Sequence, residues 1–143
     1  MMNIDKEFFN NYWDEYKKLI IDERDDSQII SFRDAINETR KLDGTLYFFG
    51  NGASASLCSH AATDFTKQAK IKSRAFNDHN LITALSNDYG YENWVAKAIE
   101  YYVKPIDRVI FISVSGNSKN LINGLNYAKS KNIPNASLTG SDY

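Results

Sequence analysis

The sequence predicts an α/β protein, a parallel sheet held between layers of helix, and three observations carry that prediction. Short continuous apolar runs, Thr45–Phe49 and the β-branched run that opens the stretch Arg108–Asn120, read as buried strands. They alternate with stretches whose apolar residues recur every three or four positions, as helices require. Each run also ends in a small-residue turn that opens a helix: Gly50-Asn51-Gly52-Ala53-Ser54 after the first, Ser113-Val114-Ser115-Gly116-Asn117-Ser118 after the second. In such folds ligands bind beyond the carboxyl ends of the strands, which is where both turns fall.

The elements follow in order. From Asp5 to about Asp22, Phe8, Phe9, Tyr12, Trp13, Tyr16, Leu19 and Ile20 form one stripe of a helix. A stripe this aromatic suits either core packing or docking against another subunit. A second helix runs from Ser27, as its N-cap, to Leu42, and Asp43-Gly44 ends it, with glycine as the left-handed cap. The first strand leads into a helix from Ala55 to Lys67. A weak strand follows over Ile71–Phe76, then a short apolar piece, Leu81–Leu85, ending in the loop Ser86-Asn87-Asp88-Tyr89-Gly90. Helix resumes from Tyr91 to Val103 and Pro105 stops it. After the second strand a helix carries Leu121, Ile122, Leu125 and Ala128 inward, until Asn132 and Pro134 break it, and Ala136 to Gly140 begins a further strand.

Bulk properties bound the function. The 143 residues suit a single domain, with a helical segment over about 1–42 and an α/β core beyond it. Hydrophobic residues make up 43% and the net charge is −1, which excludes disorder and the concentrated basic surface of a nucleic-acid or anionic-membrane binder. The lone Cys58 forms no intramolecular disulfide and points to a reducing compartment. With no membrane-length apolar run and no signal peptide, the sequence predicts a cytoplasmic protein.

The serine turn is the chemical focus. A strand that opens onto a helix N-terminus presents backbone N–H groups to an anion, with the positive end of the helix dipole behind them. Ser113, Ser115 and Ser118 add three hydroxyl donors without a lysine, so the turn reads as a phosphate cradle. The competing reading is an ordinary loop whose helix is capped by Ser118. The first turn lacks the third glycine of a dinucleotide fingerprint, which argues against a nucleotide cofactor. His60 and Asp64 lie four apart on one helix face, a pair that suits metal binding, proton relay or a surface hydrogen bond.

In combination, Gly50-Asn51-Gly52-Ala53-Ser54, His60 with Asp64, Leu85-Ser86-Asn87-Asp88-Tyr89-Gly90-Tyr91 and Ser113-Val114-Ser115-Gly116-Asn117-Ser118 resemble sugar isomerase (SIS) domains, in particular the phosphoheptose isomerase branch. The resemblance implies a three-layer αβα sandwich of flavodoxin-like type. It implies a homotetramer with sites between subunits, converting sedoheptulose 7-phosphate to D-glycero-D-manno-heptose 7-phosphate for bacterial surface heptoses, lipopolysaccharide or capsule. In matching positions Asn51, Gly52, Ala53, Asn87 and Asp88 would line the sugar. Ser113, Val114, Ser115 and Ser118 would hold the phosphate, helped by Ser54. His60 and Asp64 would act in catalysis, and would bind zinc only if further ligands exist. Ala53, Val114 and Asp64 stand where the family has glycine, threonine and glutamate. The resemblance also implies that the family's C-terminal part, with its glutamine and histidine, is missing. The alternative is a non-catalytic SIS-fold protein that binds a sugar phosphate or a protein partner, regulatory or of the replication-initiator-binding type.

Overall fold

A computed structural model describes residues 6–18 and 26–140. The described residues fall into two compact units, divided between Arg33 and Asp34. In the first, α1 (Lys6–Lys17) buries none of its residues. Its aromatic stripe instead packs on itself, with the Tyr12 and Trp13 rings edge to face at 5.1 Å. Core packing of this stripe is therefore not what the structure shows. Leu19 and Ile20, predicted to extend it, lie outside the described residues. α2 (Asp26–Lys41) spans the boundary between the units and starts one residue ahead of Ser27, the predicted cap.

The second unit is the α/β core: β1 (Leu46–Gly50), α3 (Ala53–Lys67), β2 (Ser73–Ala75), α4 (His79–Tyr89), α5 (Trp94–Tyr102), β3 (Arg108–Ser113), α6 (Lys119–Ser130) and β4 (Asn135–Thr139). The four strands are all parallel, in the order β2-β1-β3-β4. The chain steps one way from β1 to β2, then back across β1 to β3 and on to β4. Since parallel crossovers are right-handed, that reversal sends α3 to one face of the sheet and α4, α5 and α6 to the other. The predicted αβα sandwich is the observed fold.

Alternation along each strand separates two apolar layers. Phe48 faces α3, stacked on Phe65 at 5.7 Å. Phe49 faces the opposite layer, 6.0 Å from the Trp94 ring and 6.1 Å from Phe111. That second layer is the larger core, where Trp94, Val95, Ala98 and Ile99 of α5 join Leu121 and Ala128 of α6. Arg108, at the start of β3, is buried and donates through Nε to Thr39 Oγ1 at 3.0 Å and through Nη2 to Glu38 Oε2 at 3.4 Å. Burial pulls its guanidinium pKa down, against the raising effect of Glu38.

Two local expectations need correction. The segment 79–89 is a full helix, not a short apolar piece and a loop, because Asp78 caps it by accepting from the N–H groups of Asn80 and Leu81 at 3.0 and 3.2 Å. The left-handed residue after α2 is Asp43, with φ 56°, and not Gly44. Gly44 is required for a different reason: a Cβ there would lie 2.2 Å from the Ile106 carbonyl oxygen.

Candidate functional site

The sheet order reverses between β1 and β3, so the crevice beyond their carboxyl ends is the topological switch point of the fold. Gly50 pairs with Ile112 at the end of this ladder, which sets the two small-residue turns side by side. A cleft of about 260 Å³ lies there, lined by Asn51, Ala53 and Ser54 from the first turn and by Ile112, Ser113, Val114, Ser115 and Ser118 from the second. All but Ile112 are residues singled out from the sequence, some 60 positions apart in the chain.

The backbone of each turn explains the cleft. Gly52 has φ 54° and ψ −124°, a combination that costs a side-chain-bearing residue about 1–3 kcal/mol, and no atom lies within 4 Å of a Cβ placed there. Glycine is thus needed for conformation, not for room. It lets β1 swing directly into α3, which starts at Ala53 and not at the predicted Ala55. In the second turn Ser113 Oγ accepts the Gly116 N–H at 3.1 Å and Ser115 Oγ accepts the Asn117 N–H at 3.3 Å. Both hydroxyls are used as acceptors, and a hydroxyl that accepts keeps its own O–H to donate. Ser118 occupies the N-cap position of α6 but makes no side-chain cap hydrogen bond. Ser118 is thus the N-cap residue, as the competing reading has it, but its hydroxyl makes no cap bond. The N-termini of α3 and α6 both open at this end of the sheet, adding two partial positive charges and no formal one.

Sequence reasoning missed the polar bridge behind the cleft. Asn51 and Asn120 exchange side-chain amide hydrogen bonds, Asn51 Nδ2 to Asn120 Oδ1 at 3.0 Å and Asn120 Nδ2 to Asn51 Oδ1 at 2.9 Å. The Tyr91 hydroxyl also donates to Asn51 Oδ1, at 3.3 Å. Asn120 shares the buried side of α6 with Leu121, Gly124 and Ala128. A polar residue at helical spacing on an otherwise apolar stripe was the available signal.

Other predicted site residues are not brought to the cleft. Gly52 shapes the turn but does not line it. Asn87 and Asp88 are exposed in the last turns of α4, with Asn87 Nδ2 donating to Asp88 Oδ1 at 3.0 Å. His60 and Asp64 pair on the outer surface of α3, Nε2 to Oδ2 at 3.2 Å, with side chains 78% and 52% exposed. They supply two donors, short of the three protein ligands of a catalytic zinc site, and no group of three or more such residues occurs among the described residues. The residues present do not by themselves fit a zinc ion. Cys58 is buried in α3, and burial pushes its thiol pKa up to about 11, away from the reactive thiolate range.

A doubly wound α/β domain with a hydroxyl-lined cleft at its switch point defines the class. A SIS domain family model matches residues 8–140, and the chain belongs to that family. Among its relatives, a phosphoheptose isomerase of Helicobacter pylori (strain HPAG1) is 37% identical over 111 residues, covering 73% of this chain and 58% of the relative. One of Maridesulfovibrio salexigens is 30% identical over 136 residues, covering 91% and 62%. The chain thus spans about three-fifths of the length of these relatives. The structure of phosphoheptose isomerase GmhA from Neisseria gonorrhoeae superposes with a TM-score of 0.77 at 27% identity, covering 90% of this chain and 67% of that one. A phosphoheptose isomerase from Francisella tularensis, at 21% identity, shares the fold with a TM-score of 0.79 over 93% of this chain and 74% of its own.

Proposed function

We propose that the protein is a sugar-phosphate aldose–ketose isomerase acting on sedoheptulose 7-phosphate to give D-glycero-D-manno-heptose 7-phosphate. The observation that carries this reading is the serine-lined cleft at the switch point, in a chain whose curated relatives are named phosphoheptose isomerases. Ser113, Ser115 and Ser118, with Ser54 and the turn at Val114, hold the phosphate. Asn51 and Ala53 meet the sugar from the cleft lining, Gly52 shapes the turn that presents them, and Asn87 and Asp88, outside that lining, are proposed to reach the sugar in the assembled homo-oligomer.

The reaction moves one proton from C1 to C2 and one from O1 to O2, through an enediol. A positioned base and acid are needed, and a fixed phosphate keeps the reacting carbons in their reach. Asp64 is the proposed acid/base, with His60 bonded to it as partner. Because this pair is exposed on α3, the proposal includes a homo-oligomer, a tetramer in the branch it resembles, whose neighbouring subunit completes the site. The exposed aromatic stripe of α1 supports such an assembly. The setting is cytoplasmic heptose synthesis for lipopolysaccharide or capsule; no described helix is long and apolar enough to cross a membrane.

The test is an assay of the assembled protein with sedoheptulose 7-phosphate. Turnover that collapses in Asp64→Asn bears the proposal out, and no turnover sinks it. The exposure of the His60–Asp64 pair, outside the cleft lining, favours one second reading: a SIS-fold protein that binds a sugar phosphate or a protein partner without turning anything over. That reading expects tight binding of the sugar phosphate and no product.

A further inference from the structure

We infer that Asn120 and Tyr91 are positioning residues that fix the side-chain amide of Asn51 as an N–H donor toward the sugar part of a bound phosphosugar. The inference rests on the sugar-phosphate reading of the cleft and concerns residues to which that reading gives no role.

An amide side chain has two N–H donors and a carbonyl oxygen with two lone pairs. At Asn51 the oxygen takes two donors, Asn120 Nδ2 at 2.9 Å and the Tyr91 hydroxyl at 3.3 Å. Of its two N–H groups, one is given to Asn120 Oδ1 at 3.0 Å. The carbonyl is filled and one N–H remains. Asn51 lines the cleft, so a ligand beside it meets a donor and not an acceptor. Turning the amide over would set oxygen against oxygen and nitrogen against nitrogen across the Asn51–Asn120 pair. It would also turn the Tyr91 hydroxyl from donor to acceptor. The orientation is therefore set by the reciprocal Asn51–Asn120 pair, and the Tyr91 hydroxyl supports it by donating to the same oxygen.

The lock has a rigid base. Asn120 is 2% exposed, in the first turn of α6, two residues beyond Ser118 of the cleft. Tyr91 reaches Asn51 from the turn ahead of α5 and is itself 55% exposed. The network thereby joins the first turn, which meets the sugar, to the helix whose N-terminus faces the phosphate. It sets the direction of a donor without touching the reacting atoms.

The test titrates sedoheptulose 7-phosphate and inorganic phosphate separately, by calorimetry, into the full chain and its Tyr91→Phe and Asn120→Leu variants, with thermal melts alongside. Tyr91→Phe removes only an exposed hydroxyl, so it keeps the test alive if Asn120→Leu does not fold. Its affinity for the sugar phosphate should fall about three- to tenfold, the worth of one hydrogen bond, while inorganic phosphate stays within about twofold and the melting temperature holds. Asn120→Leu, where it folds, should lose more on the sugar phosphate than Tyr91→Phe. Equal weakening of both ligands would assign the network to general support of the fold and overturn the inference, as would unchanged sugar-phosphate affinity. A wild-type chain that takes phosphate but not sedoheptulose 7-phosphate would overturn the sugar-phosphate reading itself, and this inference with it, before any variant is made.

Discussion

Ser113 and Ser115 accept backbone N–H groups of their own turn, and this dual use decides what their loss would do. Removing both hydroxyls frees two backbone donors at a partly open turn, a modest structural cost. It also removes two donors to an anion, each worth about 1.5–3 kcal/mol when the acceptor is charged. Ser113→Ala with Ser115→Ala should therefore weaken sugar-phosphate binding at least tenfold while the melting temperature moves little. Calorimetric titration beside a thermal melt checks both halves of that statement. Cys58 poses a separate single-residue question. Burial pushes its thiol from the ordinary 9.0 up to about 11, so the folded state keeps a proton that the unfolded chain releases. Stability is then intact below about pH 9 and falls as pH rises toward about 11. Urea unfolding on either side of that window should show the fall, and Cys58→Ala should flatten it.

At the scale of elements, the correction at α4 is the instructive one. Leu81, Ile82 and Leu85 carry helical spacing, but the run is short and Ser-Asn-Asp looks like a loop. The side chain of Asp78 and the packing of Leu85 into the core pull residues 79–89 into one helix. Tertiary burial overrode weak local preference there. The α5–α6 contact depends on close approach at Gly124, where a Cβ would sit 2.4 Å from Val95 Cγ1. Val95 is fully buried and has no room to yield. Gly124→Ala gains up to about 1 kcal/mol of helix propensity, but the overpacking costs about 1–3 kcal/mol. A net lowering of the denaturation midpoint is expected, and an unchanged midpoint would show that α5 slides freely on α6.

For the whole molecule, the stripe on α1 is an exposed run of aromatic residues that the α/β core does not explain. Phe8, Phe9, Tyr12, Trp13 and Tyr16 are 43% to 57% exposed while packing on one another. Aromatic residues so displayed are interface chemistry, and in the proposed homo-oligomer they form subunit contacts. Tyr12→Ser with Trp13→Ser should lower the mass measured by light scattering after gel filtration. An unchanged mass would place the subunit contacts elsewhere. If the site is completed between subunits, isomerase turnover should fall in the same variant although the serine cleft is untouched.

The sequence by itself determined the class of fold, the order of strands and helices in the core apart from α4, and the two hydroxyl-rich turns. Each of these is a local property: apolar periodicity, glycine at a turn that needs φ 54°, and serines spaced within the six residues from Ser113 to Ser118. Only the tertiary structure decided which turns meet. The reversal of strand order between β1 and β3 brings Asn51 and Ser113 to one cleft, while the α3 surface holds His60 and Asp64 outside its lining. Spacing marks Asn120 as a polar residue on an apolar stripe, but the bonds that link it to Asn51 across 69 residues of chain, and Asn51 to Tyr91 across 40, are set by the fold alone. Pairing at such distance is fixed by how sheet and helices pack, and packing is a property of the whole chain.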